Sequence, residues 1–260
     1  MPTNNSAEEQ AATHFSHQLT AELALPPIHL QVHGEQTLCW IFAKAASAES
    51  VLQVQFAARL LKAHAGDWLL DLIPAATTLL LVFDGLKYDA DDVYRRIAAI
   101  WPQTMTNAEQ QSKLVTLPCF YDERFGPDLA RIARQRQLSI SEVIHRHSQQ
   151  RYQVHAIGFA PGFAYLGHVA PPIASPRLAT PRTKVPAGSV GIAGSQTAVY
   201  PQASPGGWNI IGNCPLPMFC LTATPMMPVE VGDWVQFAPI ERAEFLRLGG
   251  NDEAWRHFAP

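Results

Sequence analysis

The residues of this chain best suited to chemistry fall within one stretch. Arg182 and Lys184 stand two apart with Arg177 upstream, and cations so placed could hold a carboxylate or phosphate, arginine through its planar two-pronged fork. Ser189, Gln196, Thr197 and Ser204 follow, offering the neutral donors and acceptors that an amide would meet. Upstream, His145, His147, His155 and His168 supply imidazoles at spacings that match no familiar zinc pattern. No metal ligand set is therefore expected.

These side chains are embedded in Gly/Pro-rich blocks. They run Gly158-Phe159-Ala160-Pro161-Gly162-Phe163-Ala164-Tyr165-Leu166-Gly167, then Thr180-Pro181-Arg182-Thr183-Lys184-Val185-Pro186-Ala187-Gly188-Ser189, Gly194-Ser195-Gln196-Thr197, and Tyr200-Pro201-Gln202-Ala203-Ser204-Pro205-Gly206-Gly207-Trp208. Glycine permits close approaches that side chains forbid and proline fixes φ, so their alternation makes rigid loops with exposed amides. On this reading Pro161, Gly162, Phe163, Pro186, Gly188, Tyr200, Gly206, Gly207 and Trp208 wall a small-molecule site. A plainer reading of the same residues is open. Gly and Pro mark turns in any β-rich protein, Phe159, Phe163, Tyr165 and Trp208 can be core, and Arg182 can be a solvated surface charge. The density of polar, Gly/Pro-rich loops favours the site. Neither phosphate-binding signature occurs, Gly-x-x-x-x-Gly-Lys-Ser/Thr or Gly-x-Gly-x-x-Gly, and no serine stands in a Gly-x-Ser-x-Gly elbow. An ATP site and a nucleophilic triad are thus not assigned within the chain.

The elements that must position these groups follow from periodicity. Tyr152–Ile157, Ser189–Ala193 and Trp234–Phe237 read as short strands of a β-barrel or sandwich. Ahead of them Pro127 and Asp128 open a short helix, and Ser139 with Glu142 has capping-box spacing before Ile140, Val143 and Ile144. Earlier, strands at Ile28–Val32, Leu38–Phe42, Trp68–Ile73 and Thr78–Phe83 alternate with two helices. One is capped by Ser47 and ended by Gly66, and the other runs over Asp89–Trp101. Lys113–Leu117 is expected to close this first unit. The fold class is α+β: a disordered tail over 1–24, a ferredoxin-like domain over 25–117 and a β-rich domain carrying the site over 118–260.

Composition sets outer bounds. The 260 residues are 47% apolar and 16% charged, which suits a two-domain globular protein and excludes a solvating tail. A net charge of -3, without any dense basic run, argues against nucleic acid. No stretch of about 18 apolar residues is available to span a membrane. The polar start, Met1–Thr20, resembles no secretory leader, so a cytoplasmic location is expected. Cys39, Cys119, Cys214 and Cys220 form neither a zinc nor a redox pattern.

The four blocks resemble the signature of the family that contains the B-type subunit of 5-oxoprolinase, the sporulation-kinase inhibitor, and the subunit-1-like carboxyltransferase part of allophanate hydrolase and urea carboxylase. The likeness is strongest over Gly158–Phe219 and extends to Ile73–Asp84, Gly126-Pro127-Asp128-Leu129 and Glu142–His147. The chain differs from the usual pattern at Asp122-Glu123-Arg124, at Asn213-Cys214 and at Cys220. The resemblance implies a cyclophilin-like barrel for the second domain. It also implies ATP-dependent opening of 5-oxo-L-proline to L-glutamate, with a larger homologous C-type subunit and a separate third, A-type subunit as partners. ATP would then bind in the partner or at the interface, and the chain alone would be inactive.

A lactam carbonyl is a poor electrophile, so that chemistry needs cations, oxyanion donors and a base for water. Arg182, His145 and Gln196 are the catalytic candidates, His145 because it lies in a matched segment. Arg182→Ala is expected to remove turnover and leave the fold intact. Two other classes stay open: a regulatory protein that inhibits a histidine kinase, and a subunit of allophanate or urea metabolism.

Overall fold

A computed structural model describes residues 28–102 and 112–251, with the backbone of 23–24 and 104–105. Apart from residues 23–24, the tail expected over 1–24 lies outside the described residues. Two compact units are present, one drawn from the chain up to Gln111 and the other chiefly from Ser112 onward.

The first unit runs β1 (Leu23–Ala24), β2 (Leu30–Val32), β3 (Thr37–Ile41), α1 (Ala48–His64), β4 (Leu69–Pro74), β5 (Thr78–Phe83), α2 (Ala90–Ile100) and β6 (Thr104–Met105). Its sheet has the order β2-β3-β5-β4, and β1 pairs with β6 apart from it. Alternation divides the sheet's faces: Leu38, Trp40, Leu79, Leu81 and Phe83 are buried with Val54, Ala57 and Leu61 of α1 and Val93 and Ile97 of α2. Both helices therefore cover one face. Each starts on a local cap. Ser47 and Ser50 exchange backbone-to-hydroxyl bonds of 3.0 Å at α1, and Asp89 and Asp92 form a capping box at α2.

The second unit runs β7 (Leu114–Cys119), α3 (Leu129–Arg136), α4 (Ile140–Gln149), β8 (Arg151–Ile157), β9 (Ala164–Gly167), β10 (Arg182–Val185), β11 (Ser189–Ala193), β12 (Gln196–Val199), β13 (Ser204–Gly206), β14 (Asn209–Asn213), β15 (Trp234–Pro239) and α5 (Arg242–Arg247). Seven strands make a sheet in the order β14-β11-β12-β9-β8-β15-β7, and β10 with β13 makes a separate ribbon. Contrary to expectation, the strand at Lys113–Leu117 does not close the first unit. As β7 it pairs in parallel with β15 along its whole length, because its backbone groups find partners only there. The sheet curls until its edges meet at a single bridge, where Phe120 and Asn213 exchange N–H···O bonds of 2.8 and 3.0 Å.

Curling gives the sheet an inside and an outside. Leu117, Tyr152, Val154, Leu166, Val190, Ile192, Val199, Val235 and Phe237 face inward, packed with Leu129, Ile132, Ala133 and Val143 of the two helices. Ser139 caps α4 by accepting from Glu142 N–H at 3.1 Å, but only half of the expected box forms. The Glu142 carboxylate pairs instead with Arg146 at 2.6 Å.

One polar group enters this interior. His147 is fully buried on α4, and its tautomer follows from its partners. Thr197 Oγ1 donates to Gly191 O at 2.9 Å, so it must accept from His147 Nε2–H at 2.9 Å. Nδ1 is left to accept from the Tyr121 hydroxyl at 2.7 Å. Burial holds this imidazole neutral, lowering its pKa from 6.5 to about 3. The unfolded chain then binds the extra proton between those values, so this contribution to stability is complete above pH 6.5 and is lost progressively as pH falls toward 3. We expect urea unfolding to weaken by up to roughly 1.4 kcal/mol per pH unit below about pH 6 from this group. The slope should be smaller in His147→Gln; equal slopes would show that His147 does not carry it.

Candidate functional site

Strand parity assigns the chemistry to the outside of the curled sheet. Val154, Leu166 and Val199 point inward. Their neighbours Gln153 on β8, Tyr165 and Gly167 on β9, and Gln196 and Ala198 on β12 therefore belong to the outer face, and His155, at a bulge in β8, lays its ring on the same side against Gly167. Tyr200 follows β12 on the same side.

Part of that face is aromatic. Phe163 is edge-on to Tyr165, Tyr200 and Trp208 at centroid distances of 4.9, 5.4 and 5.6 Å, and Tyr165 lies 6.1 Å from Trp208. Phe163, Tyr200 and Trp208 are buried in an outer cluster with Val185, Ala193, Ala198 and Ile210, against which Tyr165 packs while keeping some exposure. Phe159 packs edge-on to Phe163 at 5.3 Å yet is 66% exposed, with φ at +73°. A bulky residue in that region costs roughly 1–3 kcal/mol and is held only by its surroundings. The holding is visible next door. Gly162 has φ +84°, and a Cβ there would lie 2.5 Å from Met218 O, so the 158–163 turn seats directly on the 218–219 backbone. Gly206 has a similar role: a Cβ would meet the Tyr200 hydroxyl at 2.3 Å, so only glycine lets the ribbon cross that ring.

The cations divide into one that is locked and two that are open. Arg182 grips Asp128 with both prongs, Nη1 to Oδ2 at 3.0 Å and Nη2 to Oδ1 at 3.1 Å, and donates to Trp208 O at 3.3 Å. Arg131 also binds Asp128 at 2.9 Å and bonds to Asn209 Oδ1. Asp128 Oδ2 accepts from Ile210 N–H at 2.7 Å. One buried carboxylate thus joins the start of α3 to β10 and β14, and two guanidiniums around it leave one positive charge in excess. Arg177 is exposed, with its guanidinium 6.0 Å from the Trp208 ring centre. Lys184 is exposed on the ribbon with no charged partner among the described residues. Burial raises the Tyr200 hydroxyl to about 12, so it stays protonated beside these cations. The exposed part of this face combines Tyr165 with two exposed cations, a setting that suits a small molecule bearing an anionic group.

Several expected site residues are placed otherwise. Ser189 is fully buried and donates to Pro186 O at 2.6 Å. Thr197, also fully buried, is turned inward to His147. Both hydroxyls are used inside the protein and are not available to a ligand. His145 is exposed on α4, and among the described residues its ring contacts no other candidate. Pro161 is exposed at the tip of its turn, Pro186 is buried, and Gly188 (φ +78°) turns the chain between β10 and β11. Gly207 and Ser204 border the ribbon, the Ser204 hydroxyl buried without a hydrogen-bond partner. Gln196 opens β12 on the outer face. Asp128 was missed as a site residue because its partner lies 54 positions away in sequence; only the Gly-Pro-Asp-Leu segment pointed to it.

A two-unit α+β chain whose curled sheet bears an aromatic, cationic outer face is thereby defined. The family model for the carboxyltransferase domain, subdomain C and D, matches residues 28–229, and the chain belongs to that family. The B-type 5-oxoprolinase subunit of Bacillus subtilis (strain 168) is 38% identical over 186 residues, 68% of this chain and 78% of that protein. The Escherichia coli O157:H7 protein of the same name is 38% identical over 169 residues, 65% and 77% of the respective chains. Among solved structures, TTHA0988 aligns at TM-score 0.71 and 32% identity over 79% of this chain, which spans only 40% of that longer one. Kluyveromyces lactis urea carboxylase shares the fold at TM-score 0.65 and 16% identity, over 90% of this chain and 24% of that one.

The Asp128 clamp alters what removal of Arg182 should do to the fold. With the pair largely buried, Arg182→Ala should destabilise the second unit by roughly 1–3 kcal/mol instead of leaving it intact. A double-mutant cycle with Asp128→Asn in urea should show coupling above about 0.5 kcal/mol; additive effects would show that the clamp does not stabilise the fold.

Proposed function

We propose that the chain is the smaller subunit of an ATP-dependent 5-oxoprolinase, which opens 5-oxo-L-proline to L-glutamate together with a larger homologous subunit and a third subunit. The observation that carries this reading is the 38% identity to the B-type 5-oxoprolinase subunit of Bacillus subtilis over 68% of the chain. The outer face suits such a substrate, a small flat ring with one carboxylate: Arg177 and Lys184 would hold the carboxylate while Tyr165, backed by the buried Trp208, meets the ring. Arg182 acts in this reading through Asp128 and Trp208, fixing the wall rather than touching the ligand.

No phosphate-binding loop occurs in the sequence, so ATP is assigned to the partner or the interface. Metal is given no role in this chain; among the described residues no group of three or more metal-binding side chains occurs. Among the described residues no helix is long and apolar enough to cross a membrane, and the complex is assigned to the cytoplasm. In finer terms the first unit is read as ferredoxin-like, supported by two helices on one face of a four-stranded sheet. The second is read as a cyclophilin-like barrel, supported by the Phe120–Asn213 closure and the helices against its interior.

The test is reconstitution. The chain, combined with the larger and third subunits, should hydrolyse ATP only when 5-oxoproline is present and release glutamate. Lys184→Met should raise KM for 5-oxoproline by about tenfold at unchanged stability, the effect of losing one charge-assisted contact. A complete set of subunits without 5-oxoproline-dependent turnover would overturn the assignment.

A further inference from the structure

Gly167 lies at the centre of a row of polar side chains that make no side-chain hydrogen bond among the described residues. In the sheet it pairs on one side with Gln196 of β12 and on the other with Gln153 of β8. Cross-strand partners share a face, so the two carboxamides flank Gly167 on the outer side, their Cα atoms roughly 10 Å apart. The His155 ring reaches over the same glycine: a Cβ on Gly167 would lie 2.3 Å from its Cε1 and 2.7 Å from its Nδ1. The His168 ring stands edge-on to it, with centroids 5.1 Å apart.

These groups lack partners where partners are expected. Gln153 is 4% exposed and His155 6% exposed, and His155 Nε2 is buried with no hydrogen bond. Neither Gln153 nor Gln196 makes a side-chain hydrogen bond among the described residues. Leaving a buried polar atom such as His155 Nε2 unpaired costs roughly 1–3 kcal/mol, and folded proteins seldom accept one without something to bind. No side chain of the row is a permanent cation or anion, and burial with the neighbouring His168 lowers the His155 pKa, keeping that ring uncharged. An anion would find no counter-charge in the row. Each carboxamide, by contrast, presents one donor and one acceptor edge, the complement of another amide.

We propose that Gln153, His155 and Gln196 form a neutral hydrogen-bonding subsite around Gly167 that takes the –CO–NH– edge of a small amide. It deepens the functional reading above and rests on it for the identity of the physiological amide, a lactam. Gly167 leaves the space in which the His155 ring lies, and any side chain there would displace that ring from the subsite. Tyr165, two residues back on the same strand and face, lies roughly 7 Å away and joins the subsite to the aromatic wall. His168, exposed at the rim, is the group that must move aside for entry.

The probe is 2-pyrrolidinone, a five-membered lactam without a carboxylate, titrated into the full chain while the Cε1–H signals of His155 and His168 are followed by NMR. We expect a saturable shift at both rings with Kd on the order of millimolar, as befits a ligand of few atoms. Cyclopentanone, which keeps the ring and carbonyl but lacks N–H, should bind at least about tenfold more weakly. Gln196→Leu should weaken binding by roughly tenfold, and Gly167→Ala should abolish it by filling the space, each checked for an unchanged circular dichroism spectrum. If Gly167→Ala does not fold, Gln196→Leu alone decides. Absence of any histidine shift, equal binding of cyclopentanone, or full binding by Gln196→Leu would each overturn the subsite. Lactam binding without turnover by the reconstituted complex would keep the subsite and remove the 5-oxoprolinase reading; turnover without lactam binding would do the reverse.

Discussion

Burying a carboxylate is costly unless several donors meet it, and Asp128 shows how many a fold can supply at one point. It receives both prongs of Arg182, two N–H groups of Arg131 and the Ile210 amide. Those donors come from β10, α3 and β14, three pieces that sequence order alone would not bring together. Because Arg182 also holds Trp208 O, the same clamp bears on the aromatic wall. Arginine suits this task better than lysine, since a fixed planar fork can satisfy two oxygens and a carbonyl at once. The outer face is therefore built from a core-like polar knot outward, and its exposed cations, Arg177 and Lys184, are free of that structural duty.

Closure of the sheet supplies the second constraint. With Phe120 and Asn213 bonded across the seam, every strand residue must face either a sealed interior or the outside, and the parity of the strand decides which. Gln196 and Thr197 are neighbours in sequence but part company here: Thr197 completes the buried chain from Tyr121 through His147 to Gly191, while Gln196 remains on the outer face. The same parity puts Val154 inside and Gln153 outside, while the bulge at His155 lays its ring on the outer side against Gly167.

Local rules of this kind were legible in the chain, and long-range ones were not. Caps at Ser47 and Ser139 depend on residues three apart, and both formed. The Gly158–Phe163 turn was legible because Gly162 accepts a conformation and a contact that few residues could. His147 was legible in principle: Ile140, Val143, Ile144 and His147 follow the i, i+3, i+4, i+7 stripe of a buried helix face, which leaves His145 on the solvent side. Favouring His145 meant following a matched segment over that periodicity. The Asp128–Arg182 pair and the parallel partner of β7 were hidden, since both join distant positions through a register that local spacing does not encode.

Charge is distributed unevenly along β9, and the unevenness matches the proposed substrate. At the Tyr165 end stand Trp208, Arg177 and the ribbon that bears Lys184; at the Gly167 end stand two carboxamides and a neutral imidazole. A ring carrying a carboxylate at one position and a lactam at another has the same polarity, so the face would orient it as well as bind it. Reversal would bring a carboxylate against groups without positive charge. Tyr200 stays protonated and the His155 ring lies beside His168, so neither of these two groups is placed as a base toward bound water.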